Sequence, residues 1–94
     1  MSELDPEFYD RADAHIHLSN EQANKIDPGK VSASMMFAAA RFNAWLSAKG
    51  FESGDQMQEA REDLVSYFCD QYRAMLEHHL DEYADNFDSF MGAK

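Results

Sequence analysis

The first helix predicted from this 94-residue chain carries side chains that could bind a metal ion. Asp13 and His17 lie four residues apart, and Asp10 and Glu21 are within reach on the same helical face. A carboxylate and an imidazole at this spacing suit zinc or iron. However, this is the polar, acidic face of the helix, where such spacings are common between solvated side chains. We expect an ordinary helix surface and no resident metal or cofactor, with Asp13 and His17 as the candidates if a metal binds.

A second set of possible ligands, Glu77, His78, His79 and Glu82, lies toward the C-terminus. The set is similar to part of a di-metal centre, but such centres take carboxylates from each of four helices. The stretch 28–49 contains no aspartate or glutamate. We therefore expect His79 to be a hydrogen-bonded histidine of a core or an interface.

Nucleophilic catalysis is not indicated by the sequence. Cys69, the one cysteine, falls on the edge of an apolar helical face beside Asp70, and no base near it in sequence would lower its pKa. The serines fall within helices or at helix caps, and there is no glycine-rich phosphate loop. We expect no catalytic residues and no enzymatic activity.

Polar side chains stand where the central predicted helix is otherwise apolar. Ser32 and Asn43 fall between its two apolar sides, and Arg41 falls in its narrow exposed strip. Arg11 and Gln22 on the first helix are suitable partners, because buried amides and hydroxyls must be hydrogen-bonded. We favour the interpretation that this polar cluster fixes the register of the helices. The alternative is a small polar pocket for a metabolite or a peptide.

Composition restricts the class of protein and its partners. With 45% hydrophobic residues the chain can fill a small core. A formal net charge of −10 disfavours binding to nucleic acids and to anionic membrane surfaces. No apolar run approaches the roughly 20 residues that span a bilayer. The single cysteine excludes an internal disulfide, so we expect a cytoplasmic protein.

Two helices are predicted in the N-terminal half of the chain. The first runs from about Pro6 to Asn24, with Asp5 as its cap. The central helix lies within Asp27–Gly50, capped by Asp27 and ended by Gly50 in a left-handed conformation. Because it is apolar on two sides, we expect it to be buried nearly all round by neighbouring helices.

The third helix follows a predicted Ser53–Gln56 capping box, and no proline or glycine interrupts the sequence from Asp55 to Met91. Unbroken, it would be about 55 Å long, against about 33 Å for the central helix. We therefore predict an all-α antiparallel bundle of three helices in one domain, residues 1–94. The third helix is either continuous or broken into a fourth by a bend near His78–Asp81.

Large apolar side chains continue beyond the reach of the central helix. We call them the C-terminal surface, which consists of Leu80, Tyr83, Phe87, Phe90 and Met91. Exposed apolar patches of this size mark interaction sites, and symmetric dimers are the commonest way to cover them. We expect this surface to be ordered, buried and involved in a homodimer.

Three stretches carry a resemblance to a known family: FYDRADAHIHLSNEQ, GKVSASMMFAAARFNAWLSA and DQYRAMLEHHLDEYADNFDSFM. From about Phe8 to Met91 the chain resembles a family of short proteobacterial proteins known only as a domain of unknown function. The family pattern includes Arg11, Asp13, Asn20, Ser32, Ser34, Arg41 and Asn43, all present here. The resemblance implies a free-standing bacterial, cytoplasmic protein and assigns no activity to any residue.

The sequence therefore favours a non-catalytic interaction or regulatory module that acts through its helical surfaces as a homodimer. Its partner would be itself or another protein, with neither nucleic acid nor membrane involved. The alternative is a helical bundle that binds a small ligand or a metal.

Overall fold

The computed structural model describes residues 5–92, and five helices occur within them. They are α1 (Phe8–Ala23), α2 (Pro28–Ala48), α3 (Gly54–Glu59), α4 (Arg61–Asp85) and α5 (Phe87–Met91). No β-strand occurs in the described part of the chain, so the all-α class is confirmed. The helices fall into two compact units, Met1–Leu46 and Ser47–Lys94. Antiparallel packing of three helices in a single domain stays a prediction.

Helix α1 begins at Phe8, after a turn, rather than at Pro6. Asp5 caps this turn, because its Oδ1 accepts the backbone N–H of Glu7 at 2.8 Å. Its Oδ2 accepts a hydrogen bond from Arg11 Nη2 at 2.6 Å. The bond from Arg11 and the backbone N–H of Glu7 lower the pKa of the Asp5 carboxyl.

Helix α2 begins at Pro28, as the sequence predicts. The carbonyl oxygen of Asp27 accepts hydrogen bonds from the backbone N–H groups of Lys30, at 3.0 Å, and Val31, at 3.3 Å. At the other end the predicted left-handed conformation of Gly50 is wrong, because the positive-φ glycine in the described residues is Gly92, with φ 82°. The helix instead ends in a tight turn in which Gly50 N–H donates to Ser47 O at 3.0 Å.

The C-terminal half is interrupted at two points. Ser53 Oγ accepts the backbone N–H of Gln56 at 3.1 Å, which confirms the predicted cap of α3. Gln56 Oε1 accepts from Glu52 N–H at 2.8 Å rather than from the capping residue itself. The helix stops at Ala60 and restarts as α4, which runs without a break through the stretch 78–81.

The break between α4 and α5 lies at Asn86, so of the two alternatives the structure has the broken helix, with the break beyond His78–Asp81. Asn86 has φ −120° and ψ 35°, outside the helical region. Its side-chain Nδ2 donates to the carbonyl oxygen of Glu82 at 3.0 Å. An asparagine side chain that bonds a carbonyl of the last turn competes with continuation of the helix. The resulting turn allows Phe90 of α5 to contact Tyr83 of α4, with ring centroids 4.6 Å apart.

Burial within the described residues is slight. Val31 of α2, 6% exposed, is the buried hydrophobic residue. Phe51, Met57, Leu64 and Phe68 are half-buried in the second unit. The prediction that α2 is buried nearly all round is therefore wrong for the chain on its own.

Candidate interaction surfaces

The C-terminal surface is helical, as predicted, and it lies open to solvent. Its five side chains are between 47% and 60% exposed. The last turns of α4 supply Leu80 and Tyr83, and α5 supplies Phe87, Phe90 and Met91. Contact between Tyr83 and Phe90 joins the two helices into one apolar surface. The prediction that this surface is buried is wrong for the chain alone, and burial in a dimer stays a prediction.

Helix α2 exposes a second apolar surface. Phe37 is 74% exposed and Trp45 is 54% exposed, and exposed Arg41 lies midway between them in sequence. Residues four apart lie above one another on a helix, so the three side chains form one row. We call this row the α2 strip. Tryptophan and arginine, two of its three side chains, are among those most enriched at the energetic centres of protein interfaces.

The two surfaces differ in their charge. Helix α2 contains Lys30 and Arg41 and no acidic residue. By contrast, the stretch 74–92 contains five acidic residues and no lysine or arginine: Glu77, Asp81, Glu82, Asp85 and Asp88. In the part of the chain that the structure describes, Arg41 has no carboxylate partner. The α2 strip therefore presents an uncompensated positive charge between two aromatic rings.

An open cleft lies between α1 and α2 in the first unit. It is lined by His15, Leu18, Ser19 and Gln22 of α1 and by Val31, Ser34, Met35 and Ala38 of α2. Its volume is about 190 Å³, below the roughly 300–1,000 Å³ of pockets that enclose small-molecule ligands. The cleft is therefore better suited to a side chain from another helix than to an enclosed metabolite.

The predicted polar cluster is distributed over several environments. Arg11 bonds to Asp5 at the start of its own helix, rather than to α2. Gln22 lines the cleft, while Ser32 and Arg41 are exposed and Asn43 is half-buried. The role of the five residues as one inter-helix cluster stays a prediction, with a different partner for Arg11.

The candidate metal ligands on α1 are placed on its exposed side. His17 Nε2 lies 3.2 Å from Glu21 Oε2, one turn further along the helix, and both side chains are largely exposed. Asp13 is also exposed. The group of three possible ligands that the described residues do bring together is His78, His79 and Glu82.

That trio lies on one exposed turn of α4, with donor atoms within 4.8 Å of one another. His79 Nδ1 is 3.9 Å from Glu82 Oε1, and the two imidazole rings are 5.3 Å apart, centroid to centroid. Ligands bound to zinc at about 2.1 Å would be about 3.4 Å apart in a tetrahedral site. The trio is therefore a loose, solvated group rather than a closed coordination site.

The α2 strip was not anticipated from the sequence. Helical projection places Phe37 on a side of α2 that should be buried and Arg41 in a strip meant for water. The available signal was the spacing of positions 37, 41 and 45, together with the absence of acidic residues from the helix.

Cys69 was expected at the edge of an apolar face, and it is exposed. No helix among the described residues meets the length and hydrophobicity that crossing a membrane requires.

Comparison with known proteins identifies one family. The model of a family described as a protein of unknown function (DUF3144) matches residues 8–84. No curated protein and no solved structure matches the chain.

Proposed function

We propose, for a chain that belongs to this family of unknown function, a non-catalytic role as an interaction or regulatory module that works as a homodimer. The observation that carries the proposal is the exposure of large apolar side chains on both units. The α2 strip and the C-terminal surface are both open to solvent, while Val31 is the buried hydrophobic residue within residues 5–92. Apolar surfaces of this kind mark sites of association.

Stability gives the first argument for association. Fixing the backbone of one residue costs about 1–2 kcal/mol, and burial of apolar area is the main compensation. Isolated helices are marginal in water unless tertiary packing supports them. The described helices obtain little of that support from the chain alone, as the exposure of Phe37, Trp45 and Phe87 indicates. A partner that covers these side chains would supply the missing burial.

A second copy of the chain is the simplest such partner. Most soluble oligomers are symmetric homo-oligomers, and the two-fold dimer is the commonest. Each copy would bring both an acid-free α2 and an acidic segment 74–92, so the charges of two copies are complementary. The net charge of −10 disfavours a nucleic acid as the partner. We place the protein in the cytoplasm, consistent with its single exposed cysteine.

A non-catalytic role is supported by the surroundings of the ionisable side chains on α1 and just before it. His17 is paired with Glu21 on a solvated helix face, and Arg11 with Asp5. The lowered pKa of Asp5 has a local cause in Arg11 and the backbone of Glu7. These groups stabilise their own helices, and none of them converges on a common cleft.

A small-ligand or metal-binding bundle is the second candidate. The places where such a ligand would bind are the open cleft between α1 and α2 and the solvated trio of His78, His79 and Glu82. Purification of the native protein followed by mass spectrometry separates the two candidates. A stoichiometric metal or small molecule would support the second, and its absence together with a dimer mass would support the first.

Thermal unfolding followed by circular dichroism tests the homodimer. Association that stabilises the folded chain makes the melting temperature rise with protein concentration. We expect the melting temperature to rise clearly when the protein concentration is raised about 100-fold from a low micromolar value. A melting temperature that stays constant over that range would contradict the proposal.

A further inference from the structure

The α2 strip and the C-terminal surface have complementary chemistry. The α2 strip presents Phe37 and Trp45 on either side of Arg41, on a helix without acidic residues. The C-terminal surface is apolar, and it belongs to a segment with five acidic residues and no lysine or arginine between Arg73 and Lys94. The negative charge of this segment as a whole suits a partner helix that carries cations and no acidic residue.

We propose that the α2 strip of one copy docks on the C-terminal surface of a second copy, and that the second copy returns the same contact. The proposal rests on the homodimer proposed above and specifies its interface. Because every chain carries both surfaces, a two-fold axis would pair them twice and leave neither surface free. Pairing of like surfaces would bring Arg41 against Arg41, or acidic segment against acidic segment, at an electrostatic cost.

The size of the surfaces is consistent with a stable dimer. Each copy contributes three side chains of the α2 strip and five of the C-terminal surface, most of them about half exposed. At about 100 Å² of accessible area for each such side chain, one copy would bury about 800 Å². That is the area per partner of a standard protein interface.

Two variants that each lack one surface test the pairing. Variant A carries Phe37→Ala and Arg41→Glu, and variant B carries Leu80→Ala and Phe87→Ala. All four side chains are exposed in the chain alone, so neither variant removes packing within a single chain. Alone, A lacks the α2 strip in both copies and B lacks the C-terminal surface in both copies. We expect each to associate at least 100-fold more weakly than the wild type.

A mixture of A and B restores one complete contact, between the C-terminal surface of A and the α2 strip of B. Native mass spectrometry can resolve the AB dimer from AA and BB because the variants differ in mass. We expect AB to associate at least tenfold more tightly than AA or BB.

Lys30→Glu is the matched control, since it makes the same charge change on α2 about three turns from Arg41. It should change the dissociation constant less than threefold.

Each contrary result has a distinct meaning. A wild-type-like dimer of A would show that C-terminal surfaces pair with each other, and a wild-type-like dimer of B would show the same for α2 strips. A mixture no tighter than its components, or Lys30→Glu as damaging as variant A, would also overturn the pairing. In these cases the homodimer itself stands, whereas a monomeric wild type would overturn both proposals.

Discussion

Replacement of Phe37 by alanine distinguishes a monomeric protein from an associated one by the sign of its effect on the free energy of unfolding. Phe37 is the most exposed large hydrophobic side chain described, with 74% of its area in solvent when the chain is alone. It lies in the middle of α2, where alanine has a higher helix propensity than phenylalanine. In a monomer, Phe37→Ala should therefore be neutral or raise the free energy of unfolding, by up to about 0.5 kcal/mol.

In a dimer that covers Phe37, the same substitution should be strongly unfavourable. The exposed part of the side chain amounts to about 150 Å², given a total of about 200 Å². Covering it contributes about 3–4 kcal/mol at about 25 cal/mol per Å², and alanine would retain part of that. A loss of about 2 kcal/mol per contact follows, which is typical of an interface hot spot. Two symmetric contacts give about 4 kcal/mol, or an increase of about 1,000-fold in the dissociation constant.

Sedimentation equilibrium over a dilution series measures this dissociation constant directly. Tyr9→Ala is the matched control, because Tyr9 is 65% exposed and lies on α1, outside both proposed surfaces. We expect Tyr9→Ala to leave the dissociation constant within about threefold of the wild type. If Phe37→Ala also left it within threefold, Phe37 would not be covered by a second copy, and the assignment of the α2 strip would be refuted.

Four further outcomes are expected. At protein concentrations below the dissociation constant, Phe42→Ala should lower the free energy of unfolding by about 1–2 kcal/mol, since Phe42 is 59% exposed and truncation of a fully buried phenylalanine costs about 3–5 kcal/mol. A loss of about 3–5 kcal/mol in the dilute monomer would mean that α2 is packed within the chain. His17→Ala should change the free energy of unfolding by less than about 0.5 kcal/mol, and micromolar zinc should not raise the melting temperature; a zinc-dependent rise that the substitution abolishes would establish a metal site on α1. Because the pKa of Asp5 is lowered, its contribution to the stability of the folded chain is present above its unfolded-state pKa and is lost as pH falls through its folded-state pKa. Asp5→Asn should therefore reduce amide protection from hydrogen exchange at the start of α1 at neutral pH, and the difference from wild type should vanish in acid. Deletion of residues 80–94 should give an unstable or aggregating chain, and a stable truncated dimer would show that the C-terminal surface is dispensable.

Local features of the fold followed well from the sequence. Pro28 marks the start of α2, and Ser53 caps α3, because both depend on residues within one turn of the helix end. The breaks at Ala60 and Asn86 were missed since neither residue is a proline or a glycine. At Asn86 the side chain bonds the carbonyl oxygen of Glu82, and a pattern of apolar and polar residues does not reveal such a bond.

Burial could not be predicted from periodicity alone. A helical projection identifies the apolar sides of α2, but it does not tell whether the same chain or another covers them. Phe37 and Phe42 are thus apolar as predicted, and exposed in the chain alone. The α2 strip was missed for the same reason, because Arg41 was assigned to solvent and Phe37 to a buried side of the helix. Exposure in the folded chain, set beside the charge of α2, is the observation that identified the strip.

The mass of the intact chain in solution tests the central claim most directly. Multi-angle light scattering coupled to size exclusion measures this mass independently of molecular shape. The chain has a mass of 10.8 kDa, so a homodimer should give about twice that value. A mass of 10.8 kDa that persists at high micromolar concentration, with full helical content, would contradict the proposed self-association.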